Sequence, residues 1–305
     1  IERRLANDPV PIEHYLTHRP ADPRCPICRS SRLQKSSAFK QGEESENTAL
    51  QKSGENLRRV AHDLIGPTKP DVEGNLYAHT TLDVGTNYPK FLAIPNKTPE
   101  QTAKSWQQMY PGTRYDKDPE CPREVSEDNG GEWQGEFKEL LDKQGVKVLP
   151  SLPYTSETDA VIESFNKKFE VGVENLLRTA GAPYSTWSWA GRHFCFNYAR
   201  TLDGWSDGSY PYKRRWKKDL SRVLVPWGCE AEYLNREREK FGWKSSRAVV
   251  FGYAQYGGYQ LLNFDLFKNE KKIRVVTTRH VRITRHKFPL RELSFSEDTL
   301  NVHEG

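Results

Sequence analysis

The chain of 305 residues carries 46 Lys and Arg against 41 Asp and Glu, a net charge of +5, and is 35% hydrophobic and 29% charged. That length holds one sizeable core with one or two small modules, and no apolar run approaches the roughly 20 residues of a membrane span. Five cysteines, an odd number, argue against a secreted disulfide framework, and the charged, polar first residues lack the apolar stretch of a secretory signal.

Residues 1–35 are expected to form a small N-terminal module built on His14-x3-His18-x6-Cys25-x2-Cys28. A Cys-x2-Cys knuckle puts two thiolates on one tight turn, and His-x3-His puts two imidazoles on one helical face. Together they make a tetrahedral Zn²⁺ set. A segment so short can hardly bury a core without metal. Residues 36–55 are polar and poor in apolar side chains, which predicts a linker.

Residues 56–205 alternate between strand and helix patterns. Strands are predicted at about 57–65, 76–84, 90–95, 123–127 and 146–149, and helices at about 99–109, 134–144, 159–180 and 184–202. Gly74-Asn75 between the first two strands suits an antiparallel pair, and Pro99 followed by Glu100 favours a helix start. The class expected is α/β: a mixed sheet flanked by helices.

Three acids stand out in this core. Asp63 lies in the first strand, Asp128 precedes a Gly-Gly break after the fourth, and Glu163 opens the longest helical pattern. In that pattern Ile162, Phe165, Phe169, Val173 and Leu176 recur at helical steps as one apolar face. Glu163, Lys167, Glu170 and Glu174 form a polar stripe beside it. Three converging carboxylates need a cation, and their hard oxygens suit Mg²⁺ or Mn²⁺; two such ions about 4 Å apart clamp the attacking and leaving oxygens of a phosphodiester displacement. Lys167 and Lys168, one turn beyond Glu163, are placed to meet phosphate, although a solvated helix face explains them equally well. Asp83 also ends a strand-like run, His62 reads as a packed strand histidine, and Glu127 and Glu132 are expected at the surface. The turn-rich segment Pro150–Asp159 is expected to be a mobile loop beside the acids.

Residues 206–290 change in composition. Lys213, Arg214, Arg215, Lys217 and Lys218 surround Trp216, a pattern suited to phosphate contact with ring stacking. Short β-rich runs follow at about 248–254, 259–264 and 273–283, predicting a small sheet or barrel whose Arg274, Arg279, Arg282 and Arg285 line a basic surface. Residues 291–305 are expected to be a disordered tail. Net charge is +4 over 1–40, −8 over 41–212 and +9 over 213–305, an acidic middle between basic ends that suits ions at the centre and phosphates at the ends.

His62-Asp63-Leu-Ile-Gly-Pro, Asp128-Asn-Gly-Gly-Glu-Trp and Ala160-Val-Ile-Glu163-Ser-Phe-Asn-Lys, in that order, resemble the three acid motifs of retroelement integrases, the copia class in particular. Thr81-Leu-Asp-Val-Gly-Thr-Asn-Tyr resembles that family's second strand, and Leu176-Leu-Arg-Thr-Ala-Gly-Ala-Pro-Tyr-Ser-Thr-Trp-Ser-Trp-Ala the helices after the last acid. The resemblance spans roughly residues 12–285. The finger at the start is also similar, with a six-residue central spacer too short for the family's three-helix form. What the resemblance implies is a ribonuclease H-like catalytic core in which Asp63, Asp128 and Glu163 hold two Mg²⁺ ions, and an activity that processes DNA ends and joins them to a target. It also implies double-stranded DNA as partner, a homo-oligomer, and action in the nucleus by a protein otherwise cytoplasmic; the lack of a long apolar run leads to the expectation of no membrane partner. A chain that begins at Ile1, with Met109 its one methionine, is expected of a processed or partial product. Two other readings fit the same acids: a ribonuclease H-like nuclease that cuts without joining, and an inactive nucleic-acid-binding remnant of a mobile element.

Overall fold

The computed structural model describes residues 10–31, 46–114, 117–127, 130–150, 157–201, 208–221, 223–235, 240–241, 243–255 and 257–293. The N-terminal module runs through one 3-10 turn, Ile12–Leu16, to helix α1, Pro26–Ser31. The expectation of two histidines on one helical face is corrected here: the turn stops at Leu16, and His18 lies beyond it in the left-handed region at φ 56°. The described end of the expected linker is also helical, as α2 (Glu46–Ser53), with Leu50 packed against the main core.

The first sheet holds β1 (Arg59–Ile65), β2 (Tyr77–Asp83), β3 (Tyr88–Ile94), β4 (Glu124–Glu127) and β5 (Lys147–Pro150) in the order β3-β2-β1-β4-β5. β1, β2 and β3 form an antiparallel meander, with Asp63 opposite Thr80, while β4 and β5 run parallel to β1. Parallel neighbours need crossover connections, supplied by α3 (Pro99–Met109) and α4 (Glu136–Gln144). Thr98 caps α3 by accepting from the Gln101 amide, Pro99 opens it, and Gly145 closes α4 in the left-handed conformation.

Helices cover both faces of this sheet. On one side α3 and α4 enclose a cluster that includes Trp106, Trp133, Phe137 and Val125. On the other lie α5 (Glu157–Ala180) and α6 (Trp187–Tyr198). The α5 stripe predicted from spacing, Ile162, Phe165, Phe169, Val173 and Leu176, is buried, and Glu163, Lys167, Glu170 and Glu174 are exposed. Gly172 lets α6 approach: a Cβ there would lie 2.1 Å from Cε2 of Phe194. No helix among the described residues is long and apolar enough to cross a membrane.

After the short α7 (Pro211–Trp216) comes a second sheet of β6 (Glu230–Leu234), β7 (Ser245–Tyr253), β8 (Tyr259–Asn263), β9 (Val275–Thr278) and β10 (Val281–Thr284), with α8 (Phe264–Glu270) between β8 and β9. The order is β10-β6-β7-β8-β9, all antiparallel. Only Arg279 and His280 join the two edge strands, so the sheet must curl until its edges meet, in the manner of a barrel. Ala231, Ala248, Val250 and Leu261 fill the inside of the curl, while Val249, Phe251 and Leu262 on the other face join the main core beside Trp227. Of the expected tail only residues 291–293 are described, and Arg291 and Glu292 end the 3-10 turn Pro289–Glu292, whose Leu290 is buried.

Replacing Gly172 by Ala must push Phe194 and with it α6 away from α5. The expected loss of stability is about 1–3 kcal/mol, measured by denaturant unfolding of the two chains side by side.

Candidate functional site

Asp63 sits half-buried on β1, at the centre of the sheet. Its Oδ1 accepts from the Leu64 amide at 2.7 Å and its Oδ2 from Nδ2 of Asn166 at 2.8 Å. Asn166 reaches down from α5 and also accepts, on Oδ1, from the Thr80 hydroxyl at 2.7 Å. Its amide therefore bonds two adjacent strands at once. Glu163 lies three residues before Asn166 on the same helix, and residues so spaced share a face with Cβ atoms about 5–6 Å apart. The carboxylate of Glu163 is exposed and faces Lys167 at 3.9 Å. Asp128 lies outside the described residues; β4, the parallel neighbour of β1, ends one residue before it at Glu127. The structure thus brings the first turns of α5 onto Asp63 and runs the strand that leads to Asp128 alongside it. Most of the expected loop 150–159 also falls outside the described residues.

Behind Asp63, on the opposite face of β1, is a buried row of polar side chains. His62 is buried, as expected, with its ring 4.2 Å from that of Trp133 and stacked on Phe137 at 5.3 Å. Its Nδ1 is 3.3 Å from Nε2 of His79, whose Nδ1 is 2.5 Å from the Ser105 hydroxyl. Burial first, and then the adjoining His62, hold the His79 imidazole well below the ordinary histidine range. Glu127, expected at the surface, is instead 7% exposed, with a carboxylate oxygen 3.8 Å from Nε2 of His62. The reason is that every residue of the four-residue β4 is buried, so in this central strand alternation does not separate inside from outside. Glu132, also expected at the surface, is half-buried with its carboxylate 4.0 Å from the Lys97 ammonium.

The basic run on α7 is corrected in part. Arg215 is withdrawn from solvent: its guanidinium is 3.9 Å from the Asp83 carboxylate and 2.8 Å from that of Glu120, with both Arg215 and Asp83 side chains fully buried. Burial lifts the Asp83 carboxyl to about 6 against the opposing pull of Thr86 and Arg215. Arg214 donates to the carbonyls of Gln51 and Gly85 at 2.8 and 3.3 Å, which fastens α7 to α2 and the β2–β3 turn. Lys213 pairs with Asp219 at 2.8 Å. Lys217 and Lys218 are exposed, as is Lys167, while Lys168 is half-buried. In the curled sheet Arg274 and Arg279 line a groove of about 910 Å³ with Tyr233, Gln260 and His280.

The N-terminal residues form the tightest constellation. His14, His18, Cys25 and Cys28 are all buried and place one ligand atom each within 4.8 Å of one another. Cys28 Sγ lies 3.2 Å from Nε2 of His14 and 3.5 Å from Nδ1 of His18, and Cys25 Sγ lies 3.6 Å from the same Nδ1. Tetrahedral Zn²⁺ with ordinary Zn–S and Zn–N bonds requires sulfur and nitrogen about 3.6 Å apart. The cluster could therefore hold zinc with all four side chains, the shortened spacer notwithstanding. Burial, with His14 and Arg291 nearby, pushes the His18 imidazole down to about 3, and a neutral ring is what ligation needs. The remaining cysteines, Cys121, Cys195 and Cys229, are buried and form no disulfide, as expected.

Two side chains of this site escaped the sequence reading. Asn166 stands one helical turn past Glu163, so helical periodicity alone was a usable signal for it. Thr179, whose hydroxyl meets Nε2 of His18 at 2.8 Å, carried no signal, because its partner is 161 residues away in the chain.

Fold and site together define a mixed α/β protein with two sheets, an acid-bearing junction of strand and helix, and a buried two-histidine, two-cysteine cluster. Over 211 residues the chain is 26% identical to a retrovirus-related Pol polyprotein from transposon TNT 1-94 of Nicotiana tabacum, a match covering 67% of this chain and 16% of that polyprotein. This similarity supports a protein derived from a retroelement Pol region. No family model matches the chain.

Truncating Asn166 to Ala leaves the Thr80 hydroxyl and one oxygen of Asp63 without their shared partner, and should lower stability by about 1–3 kcal/mol, read as a shift of the thermal unfolding midpoint. Cys28→Ser should abolish uptake of one Zn²⁺ per chain in a chromophoric chelator assay, whereas Cys121→Ser should leave it unchanged.

Proposed function

We propose that the chain is a retroelement-type integrase, a metal-dependent polynucleotidyl transferase that trims a DNA end and joins it to target DNA. The observation that carries this reading is the Asn166 bridge, which locks Asp63 against α5 one turn from Glu163. The sheet order, with a three-strand antiparallel meander and two parallel strands, supports the ribonuclease H-like core that such an enzyme would use. The Pol similarity and the Asp63, Asp128 and Glu163 motifs point the same way.

In this reading Asp63, Asp128 and Glu163 would hold Mg²⁺ or Mn²⁺, as an all-carboxylate donor set suits hard cations. Bound there, two such ions activate the attacking oxygen, of water or of a DNA 3′-hydroxyl, and stabilise the leaving oxygen. The chain's own part is positional. Asn166 fixes the direction of the Asp63 carboxylate, Thr80 fixes Asn166, and the packed stripe of α5 fixes where Glu163 stands. Lys167, Lys213, Lys217 and Lys218 are the exposed cations of the predicted set and would meet phosphates. The substrate would be double-stranded DNA, handled by a homo-oligomer in the nucleus.

Strand transfer of a pre-cut DNA end in Mg²⁺ tests this directly. Asp63→Asn, Asp128→Asn and Glu163→Gln should each reduce joining by at least about 10²-fold while leaving DNA binding intact. Cleavage without joining by the unaltered chain would make it a nuclease instead, and binding with neither activity would make it an inactive remnant.

A further inference from the structure

The His-Cys cluster does not stand alone on the surface; it is seated on the far end of the helix that carries Glu163. Nε2 of His18 meets the Thr179 hydroxyl of α5 at 2.8 Å, and Thr179 is 1% exposed. The Leu16 carbonyl accepts from Nδ2 of Asn197 on α6 at 3.1 Å, and Ser30 Oγ accepts from Arg178 at 3.3 Å. The module thus spans the C-terminal end of α5 and the adjoining stretch of α6.

The two histidines present opposite nitrogens to the sulfurs. His14 turns Nε2 inward and His18 turns Nδ1 inward. A ring that offers Nδ1 as a lone pair must carry its proton on Nε2. In His18 that proton points at a buried hydroxyl from another part of the fold. Partners of this kind fix tautomer and ring direction, and their loss typically costs tenfold or more in metal affinity.

We infer that Thr179 is a positioning residue for Zn²⁺ at this cluster, and that metal occupancy and the order of the C-terminal turns of α5 are one linked equilibrium. The inference rests on the cluster's reading as a zinc site and not on the proposed DNA chemistry. Zn²⁺ binds the folded module, so whatever holds the module on α5 shares in the binding free energy. The relation is reciprocal: α5 orients the ligand, and the filled ligand set pins α5.

Chelator competition on the full chain tests the first half. Thr179→Val should lower Zn²⁺ affinity about tenfold, and Thr179→Ser, which keeps the hydroxyl, should restore it. Nitrogen NMR of the histidine rings in the unaltered, zinc-loaded chain should show His18 metallated at Nδ1 and protonated at Nε2, and His14 metallated at Nε2. Hydrogen exchange tests the second half: chelation should speed exchange in residues 176–182 and leave β1 unchanged. Equal Zn²⁺ affinity in Thr179→Val, or His18 metallated at Nε2, overturns the role of Thr179 while the zinc site stands. Unchanged exchange at 176–182 overturns the linkage. A chain that takes up no Zn²⁺ removes the site and the inference with it, whatever its activity on DNA.

Discussion

One buried amide keeps the long helix and the first sheet in register. Asn166 gives its Nδ2 to Asp63 on β1 and takes the Thr80 hydroxyl of β2 on its Oδ1, so both halves of the group are satisfied by neighbours that are themselves paired across the strands. Burying an amide is costly unless its bonds are made. A slide or rotation of α5 by one residue would break both, and the apolar stripe from Ile162 to Leu176 would leave the core in the same movement. Hydrophobic packing supplies most of the attraction between helix and sheet, but it is non-directional. The amide picks one alignment from those the packing allows.

What could be read in the sequence is what short-range periodicity encodes. The stripe of α5, the proline at the start of α3 and the five strands of the first sheet follow from local patterns, because the same residues that set the pattern meet the core. What could not be read depends on partners remote in the chain. Arg215 looks like part of a basic patch because its neighbours in sequence are Arg214 and Trp216; its neighbours in space are Asp83 and Glu120, which neutralise it in the interior. Glu127 looks exposed because it is a charged residue flanking Asp128 at a strand end, whereas β4 is a central strand with parallel partners and helices on both faces. The spacing of His14 and His18 suggested a helix, but the chain reaches the same pair of ligands through a single turn and a left-handed residue.

The arginines of α7 illustrate how one composition serves two ends. Arg214 and Arg215 face inward and hold the segment after α6 against α2, β2 and the loop bearing Glu120, which leaves the lysines at the end of the helix outside. The guanidinium is suited to the first task by its planar, multidentate donors, and the flexible, strongly hydrated ammonium to the second. Beyond this fastening, the curled second sheet shares its outer face with the main core through Val249 and Phe251. The chain's basic end is therefore built onto the acid-bearing half.

Helix α5 is 24 residues long, and the rise along it sets Glu163 and Thr179 about 24 Å apart. That is some three screening lengths at physiological ionic strength, about 8 Å each. A cation captured at one end therefore exerts almost no field at the other. Any message between the two termini has to travel as the tilt of a stiff rod, levered where Gly172 lets Phe194 rest against its backbone.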